Sequence, residues 1–112
     1  MGDRSNIKVT FEDGKSVFFY THWDGMRTMD IVREALTARE RVTDSAYFAR
    51  ILFSRLVAGD VNGTNGYGIS TFMPDNNPGN PIVHVKYPHE YWGAVPAVTL
   101  EDEDGNIVGG WD

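Results

Sequence analysis

Apolar and polar residues alternate strictly at the start of the chain. Ile7-Lys8-Val9-Thr10-Phe11-Glu12 therefore predicts a strand with Ile7, Val9 and Phe11 on one face. Asp13-Gly14 follows as a turn signal, because glycine accepts the positive φ that a two-residue type I′ turn demands. Ser16-Val17-Phe18-Phe19-Tyr20 is a second predicted strand, with bulky residues on both faces that suit the interior of a sheet. A two-residue turn sets Ile7 opposite Tyr20, Val9 opposite Phe18 and Phe11 opposite Ser16. Phe18 and Tyr20 then join Ile7 and Val9, while Val17 and Phe19 join Lys8 and Thr10. A bulged turn would shift this register and carry His22 to the other face.

The period then changes. Asp24-Gly25 breaks the strand, and a helix is expected from near Thr28 as N-cap, with Asp30 at the positive end of its dipole. Ile31, Val32, Ala35 and Leu36 form its buried stripe, and Arg39 and Arg41 flank its end. Thr43, Asp44 and Ser45 offer caps for a second helix. Its apolar face is Tyr47, Phe48, Ile51, Leu52 and Leu56, broadened by Phe53, and Gly59 is the expected C′ residue. Residues 60–66 read as loop, Tyr67 to Phe72 as β, and Pro74 to Gly79 as a second loop. Pro81 to Tyr87 alternates as a strand. Val95 to Leu100 and Asn106 to Trp111 flank Asp104-Gly105 as a terminal hairpin, with Pro96 weakening the first of these strands or putting it at an edge. The order β-β-α-α-β-β-β-β predicts one α+β domain over residues 1–112, a mainly antiparallel sheet with two helices packed on one face.

Composition narrows the class. With 112 residues, 41% of them hydrophobic, the chain is long enough to bury a core without staples. It has no cysteine, which excludes disulfides and thiolate metal sites and suits a reducing compartment. No apolar leader opens it and no run approaches a membrane span, so a cytoplasmic protein with no membrane role is expected. The net charge of -6 is uneven: residues 1–55 carry nine Lys and Arg against eight acids, whereas residues 56–112 hold Lys86 alone against eight. No clustered basic footprint for nucleic acid is present, so no direct nucleic-acid binding is expected. The run Glu101-Asp102-Glu103-Asp104 reads as a solvated acidic turn, the other reading being an acidic mimic of nucleic acid.

The predicted first hairpin brings chemistry together at its far end. Asp3, Arg4 and Asn6 precede one strand, and Tyr20, Thr21, His22 and Trp23 close the other, with Ser5 set against His22 and Arg4 against Trp23. Histidine is the side chain whose charge changes near neutral pH, and a carboxylate such as Asp3 would orient its ring for acid–base chemistry. Trp23 beside Arg4 would offer a stacking platform for a base, a sugar or a partner's side chain. The plainer reading is a structural corner that ties the amino-terminal arm to the sheet. No Cys or Ser nucleophile motif accompanies His22, so no catalytic residue is assigned.

Other motifs carry less. Residues 60–66 have a calcium-loop look, but the sixth and twelfth positions from Asp60 are Asn65 and Thr71, where an EF-hand needs Gly and Glu. His84, His89 and Glu90 suggest zinc, yet Pro88 interrupts the spacing and ordinary strand placement accounts for His84. No metal or cofactor is expected. Gly66-Tyr67-Gly68 opens a strand rather than a helix and is no phosphate fingerprint. Tyr87, Tyr91 and Trp92 next to the acidic run supply the residue types of an interface.

Gly2-Asp3-Arg4 with Asn6-Ile7, Tyr20-Thr21-His22-Trp23, Arg50-Ile51-Leu52-Phe53-Ser54 and Gly66-Tyr67-Gly68-Ile69-Ser70 together resemble a family of small uncharacterised proteins of actinobacterial phages, such as mycobacteriophages, and actinobacterial genomes. The resemblance spans roughly the first 85 residues in order. It implies origin rather than chemistry, because the family carries no established activity. The expectation is a phage-type accessory protein in the bacterial host cytoplasm, binding a host or phage macromolecule, a protein above all. Asp3, Arg4, His22, Trp23 and Tyr67 are the binding residues. The alternatives are a small ligand-binding protein or enzyme using Asp3, His22 and Tyr67, and acidic mimicry by the C-terminal half.

Overall fold

In the computed structural model, which describes residues 2–110 apart from 24 and 26, eight elements follow the expected order. They are β1 (Ser5–Thr10), β2 (Ser16–Thr21), α1 (Arg27–Thr37), α2 (Ser45–Leu56), β3 (Tyr67–Ser70), β4 (Ile82–Lys86), β5 (Ala97–Glu101) and β6 (Ile107–Gly110). The strands form one sheet in the order β3-β2-β1-β4-β5-β6. Every neighbouring pair is antiparallel except β1 and β4, so the protein is an α+β fold. Asp24 and Trp111, which bound two of the expected strands, lie outside the described residues. Among the described residues no helix is long and apolar enough to cross a membrane.

The register of the first hairpin differs from the expected one. Ile7 lies opposite Phe19 and Val9 opposite Val17, one residue away from the two-residue pairing. The turn has three residues, Glu12-Asp13-Gly14. Phe11 N–H donates to the Lys15 carbonyl at 2.8 Å, Gly14 N–H to the Phe11 carbonyl at 2.9 Å, and Gly14 has φ 85°. This is the three-residue loop that ends on a left-handed glycine. The slip turns β2 over, so Val17 and Phe19 join Ile7 and Val9 towards the helices while Phe18 and Tyr20 face the other way. Packing decides it: Phe19 meets Phe53 of α2 with ring centroids 5.3 Å apart.

Ile7 and Val9 of β1 and Val83 and Val85 of β4 sit at the centre of the core, all fully buried. Each such side chain contributes about 1.5–3 kcal/mol relative to exposure. Ile31, Val32 and Ala35 of α1 and Phe48, Leu52 and Leu56 of α2 cover them. Asp44 is the N-cap of α2, its side chain accepting from Tyr47 N–H. Tyr47 itself is exposed rather than part of the apolar face, with the Arg41 guanidinium 3.9 Å from its ring centroid. Helix α1 starts at Arg27, and Thr28 is buried inside it, donating from its hydroxyl to the Gly25 carbonyl. Helix α2 ends at Leu56 with Val57 as C-cap, so Gly59 is not the left-handed C′ residue. Arg27 serves that end instead, donating to the carbonyls of Leu56 and Arg55 at 3.2 and 3.1 Å, where a cation meets the negative pole of the helix. Among the described residues no helix covers the opposite face of the sheet, which carries Lys8, Thr10, Ser16, Phe18, Tyr20, His84 and Glu101.

Candidate functional site

The end of the sheet where β1 begins and β2 finishes gathers the five residues singled out above. Asp3 N–H donates to the His22 carbonyl at 2.7 Å, and His22 N–H to the Gly66 carbonyl at 2.8 Å. These two bonds extend the ladder beyond β1 and β3. With the shifted register Arg4, not Ser5, lies opposite His22, and Ser5 pairs with Thr21. Arg4 Nε donates to His22 Nδ1 at 3.4 Å, and the same nitrogen lies 2.9 Å from the Tyr20 hydroxyl. Arginine only donates, so Nδ1 is the acceptor and the ring proton sits on Nε2. The His22 and Trp23 rings meet edge-on at 5.7 Å, and Trp23 meets Tyr67 edge-on at 6.0 Å. Gly66 makes this possible. Its φ is 92°, and a Cβ there would lie 2.0 Å from the Trp23 ring.

Asp3 does not orient His22. Its carboxylate accepts from Asn80 Nδ2 at 2.7 Å, and that amide also donates to the Arg4 carbonyl at 3.0 Å. Asn77 N–H donates to the Arg4 carbonyl at 3.0 Å and its side chain to the Gly2 carbonyl at 3.2 Å. The loop from β3 to β4 must pass this end of β1, and its asparagines clamp the amino-terminal arm as it passes. Composition marked that segment only as loop, so the clamp went unseen. Arg4 and Tyr20 thus fill the acceptor nitrogen of His22, Asn80 holds Asp3, and the His22 ring packs against Trp23.

A second site lies at the other end of the sheet, on its uncovered face. Because β4 runs parallel to β1, His84 lies opposite Lys8 with Thr10 two residues along β1, and on β5 it lies opposite Thr99 with Glu101 two residues along. His84 Nδ1 makes a short hydrogen bond to the Glu101 carboxylate, and Nε2 lies 2.7 Å from Thr10 Oγ1. Thr10 Oγ1 in turn lies 2.7 Å from Ser16 Oγ. His84 is buried, and desolvation pulls its imidazole below the ordinary histidine value. The hydrogen bond and charge of Glu101 act the other way, and the charges of Lys8 and Lys86 add to the depression. The neutral ring wins at pH 7, so His84 and Glu101 form a hydrogen bond rather than an ion pair. With Nδ1–H committed to Glu101, Nε2 accepts from Thr10 O–H, and Thr10 accepts from Ser16 O–H. The result is a directed chain across four strands, from Ser16 to Glu101.

Ser16 and Thr10 open into a cleft of about 390 Å³ lined also by Lys8, Gly14, His84, Lys86 and His89. The sequence reading of His84 as an ordinary strand residue missed this arrangement. Its partners lie 74 and 17 residues away: the β1–β4 pairing brings Thr10 to it and the β4–β5 pairing brings Glu101.

Glu101 also corrects the reading of the acidic run. It is buried against His84, while the Asp102 carboxylate accepts from the N–H groups of Asp104 and Asn106, both at 2.9 Å. Four consecutive acids therefore do not form one charged face. Of the later aromatics, Tyr87 is buried and donates its hydroxyl to the Val42 carbonyl at 2.7 Å. Burial pushes that hydroxyl well above the usual tyrosine range. Tyr91 and Trp92 are exposed, and Glu90 N–H donates to the Glu12 carbonyl. They stand at the hairpin end of β1, roughly 20 Å of strand from the Trp23 corner, and do not extend its surface. No protein-family model, curated protein or solved structure matches the chain.

Proposed function

We propose that this protein is a phage-type accessory protein that works by binding a protein of the bacterial host or of the phage. The carrying observation is the exposure of Trp23, 49% open to solvent while its ring is fixed edge-on between His22 and Tyr67. An aromatic ring already held in place loses little entropy when a partner covers it, which is the usual character of an interface anchor. Beside it runs β3, an edge strand with no strand beyond it among the described residues. Ile69 of that strand is 59% exposed and Phe72, just after it, 64%. Tyr67 and Ile69 share the face that also carries Phe19, so the apolar strip continues from the corner along the sheet edge. Exposed apolar strips of this kind on a small domain mark interaction surfaces.

Pull-down from actinobacterial lysate tests the reading. The wild-type protein retains a specific partner, and both Trp23→Ala and Ile69→Ser, each confirmed folded by circular dichroism, lose it. Undiminished retention by both variants overturns this surface.

A further inference from the structure

We propose that the Ser16–Thr10–His84 cleft binds a small phosphate- or sulfate-type oxyanion, and that binding is coupled to protonation of His84 by reversal of the hydrogen-bond chain. The cleft is electropositive in an acidic protein. Lys8, Lys86 and His89 line it, and among the described residues no Asp or Glu does. Glu101 stands behind the imidazole, on its Nδ1 side, out of an anion's reach. The Ser16 hydroxyl and two lysine side chains around one concavity are a donor set that oxyanion sites use.

The chain's direction decides when Ser16 joins that set. With His84 neutral, the Ser16 proton is committed to Thr10 and the serine turns only lone pairs towards the cleft. A lone pair repels an anion. Once Nε2 is protonated, it donates to Thr10 Oγ1, Thr10 then donates to Ser16 Oγ, and the Ser16 proton is released towards the cleft. Glu101 accepts from Nδ1–H in both states, so the imidazolium keeps a counter-charge. Lys8 on β1 and Lys86 on β4 oppose that protonation in the free protein, and Ser16 on β2 adds no charge. A bound oxyanion offsets the two lysines and removes their opposition. Linkage makes the effect reciprocal: the anion raises the affinity of His84 for its proton, and the proton raises the affinity for the anion.

Sulfate is the probe, because its charge is constant between about pH 5.5 and about pH 8, on either side of the ordinary histidine range. Titration is followed by the amide signals of residues 8–16 and 84–86 in proton–nitrogen spectra. The expected result is saturable binding in the millimolar range that tightens at least about fivefold from the higher pH to the lower. Ser16→Ala leaves the His84–Glu101 pair untouched and removes the relay's outlet, so it binds more weakly and keeps only the smaller pH dependence that the charge of His84 exerts directly. His89→Gln keeps the pH dependence, which separates the rim histidine from the buried one. Lys8→Met together with Lys86→Met abolishes binding. Absence of saturable shifts below about 10 mM overturns the site. Saturable binding whose pH dependence is as large in Ser16→Ala as in the wild type overturns the relay.

Discussion

Glu-Asp-Gly occurs twice at a hairpin tip, at residues 12–14 and 103–105, and the backbone does the same thing both times. Phe11 and Lys15 close the first loop, Asp102 and Asn106 the second, through N–H···O bonds of 2.8 and 2.9 Å. Gly14 and Gly105 take φ of 85° and 83°. The surroundings differ completely. Glu12 is buried and its carboxylate accepts from Ser45 Oγ at 2.6 Å, at the start of α2. Its backbone carbonyl also accepts from Glu90 N–H at 2.7 Å. Glu103 is exposed, and the second loop is held by bonds among its own residues, chiefly those to the Asp102 carboxylate. The tripeptide therefore specifies a turn, and tertiary contact specifies whether its glutamate becomes an anchor.

The largest expected difference is between the two glutamates. Glu12→Ala removes a charge-assisted bond, strands the Ser45 hydroxyl in the interior and opens space at the N-terminus of α2. The expected cost is about 2–3 kcal/mol, read as a lower urea midpoint. Glu103→Ala is expected to stay within about 0.5 kcal/mol, as exposed substitutions do. A double-mutant cycle between Glu12 and Ser45 should return a coupling of at least about 1 kcal/mol. Equal losses at the two glutamates would break the comparison.

A smaller contrast lies in the glycines. An alanine at a left-handed position costs about 1–2 kcal/mol whichever turn holds it. A Cβ at Gly14 would only brush the His89 ring at 3.7 Å, and at Gly105 it would meet nothing, so strain is the whole effect at both. Gly14→Ala is expected to lower global stability, because the first hairpin is part of the core. Gly105→Ala is expected to speed amide exchange only in β6 and the end of β5, an edge that opens on its own. Global loss of equal size in both variants would show that the terminal hairpin folds with the core.

These contrasts also locate what could be read from the chain. The alternation of β1, the Asp44 cap and apolar face of α2, and the glycine turns are local signals, and each element stands where they indicate. The register of β2 is not a local signal. Val17 and Phe19 are as fit for a core as Phe18 and Tyr20, so hydrophobic pattern alone cannot choose between the two faces. Asp13-Gly14 fits a two-residue turn as well as the end of a three-residue one. The corner survived that ambiguity because a slip of one residue exchanges neighbours at the hairpin's end without separating its strands: Arg4 meets His22 instead of Trp23. Glu101 and His84 were illegible for the opposite reason. Their chain to Thr10 needs the antiparallel β4–β5 pairing and the parallel β1–β4 pairing together, and no property of these segments announces the second.

The smallest expected effect is electrostatic and confined to the second hairpin. Asp102 is partly exposed, yet N–H donation, first from the Asn106 backbone and then from the Asn106 side chain, Asp104 and Gly105, holds its carboxyl below the ordinary value. A carboxyl whose folded value is depressed stabilises the fold above its unfolded value, about 3.9, and that contribution is lost as pH falls through the lower folded value. The second hairpin should therefore keep its Asp102 bonds at about pH 5 and release them only in stronger acid. The amide protons of Asp104 and Asn106 report it directly, because they are the donors. Their shifts should move together with a midpoint below about 3.9, and Asp102→Asn should flatten both titrations while leaving the turn in place. A midpoint at or above the ordinary value would mean that these bonds do not favour the charged carboxylate. The loop would then owe its shape to Gly105 alone, and the contrast with the tertiary-anchored first hairpin would be sharper still.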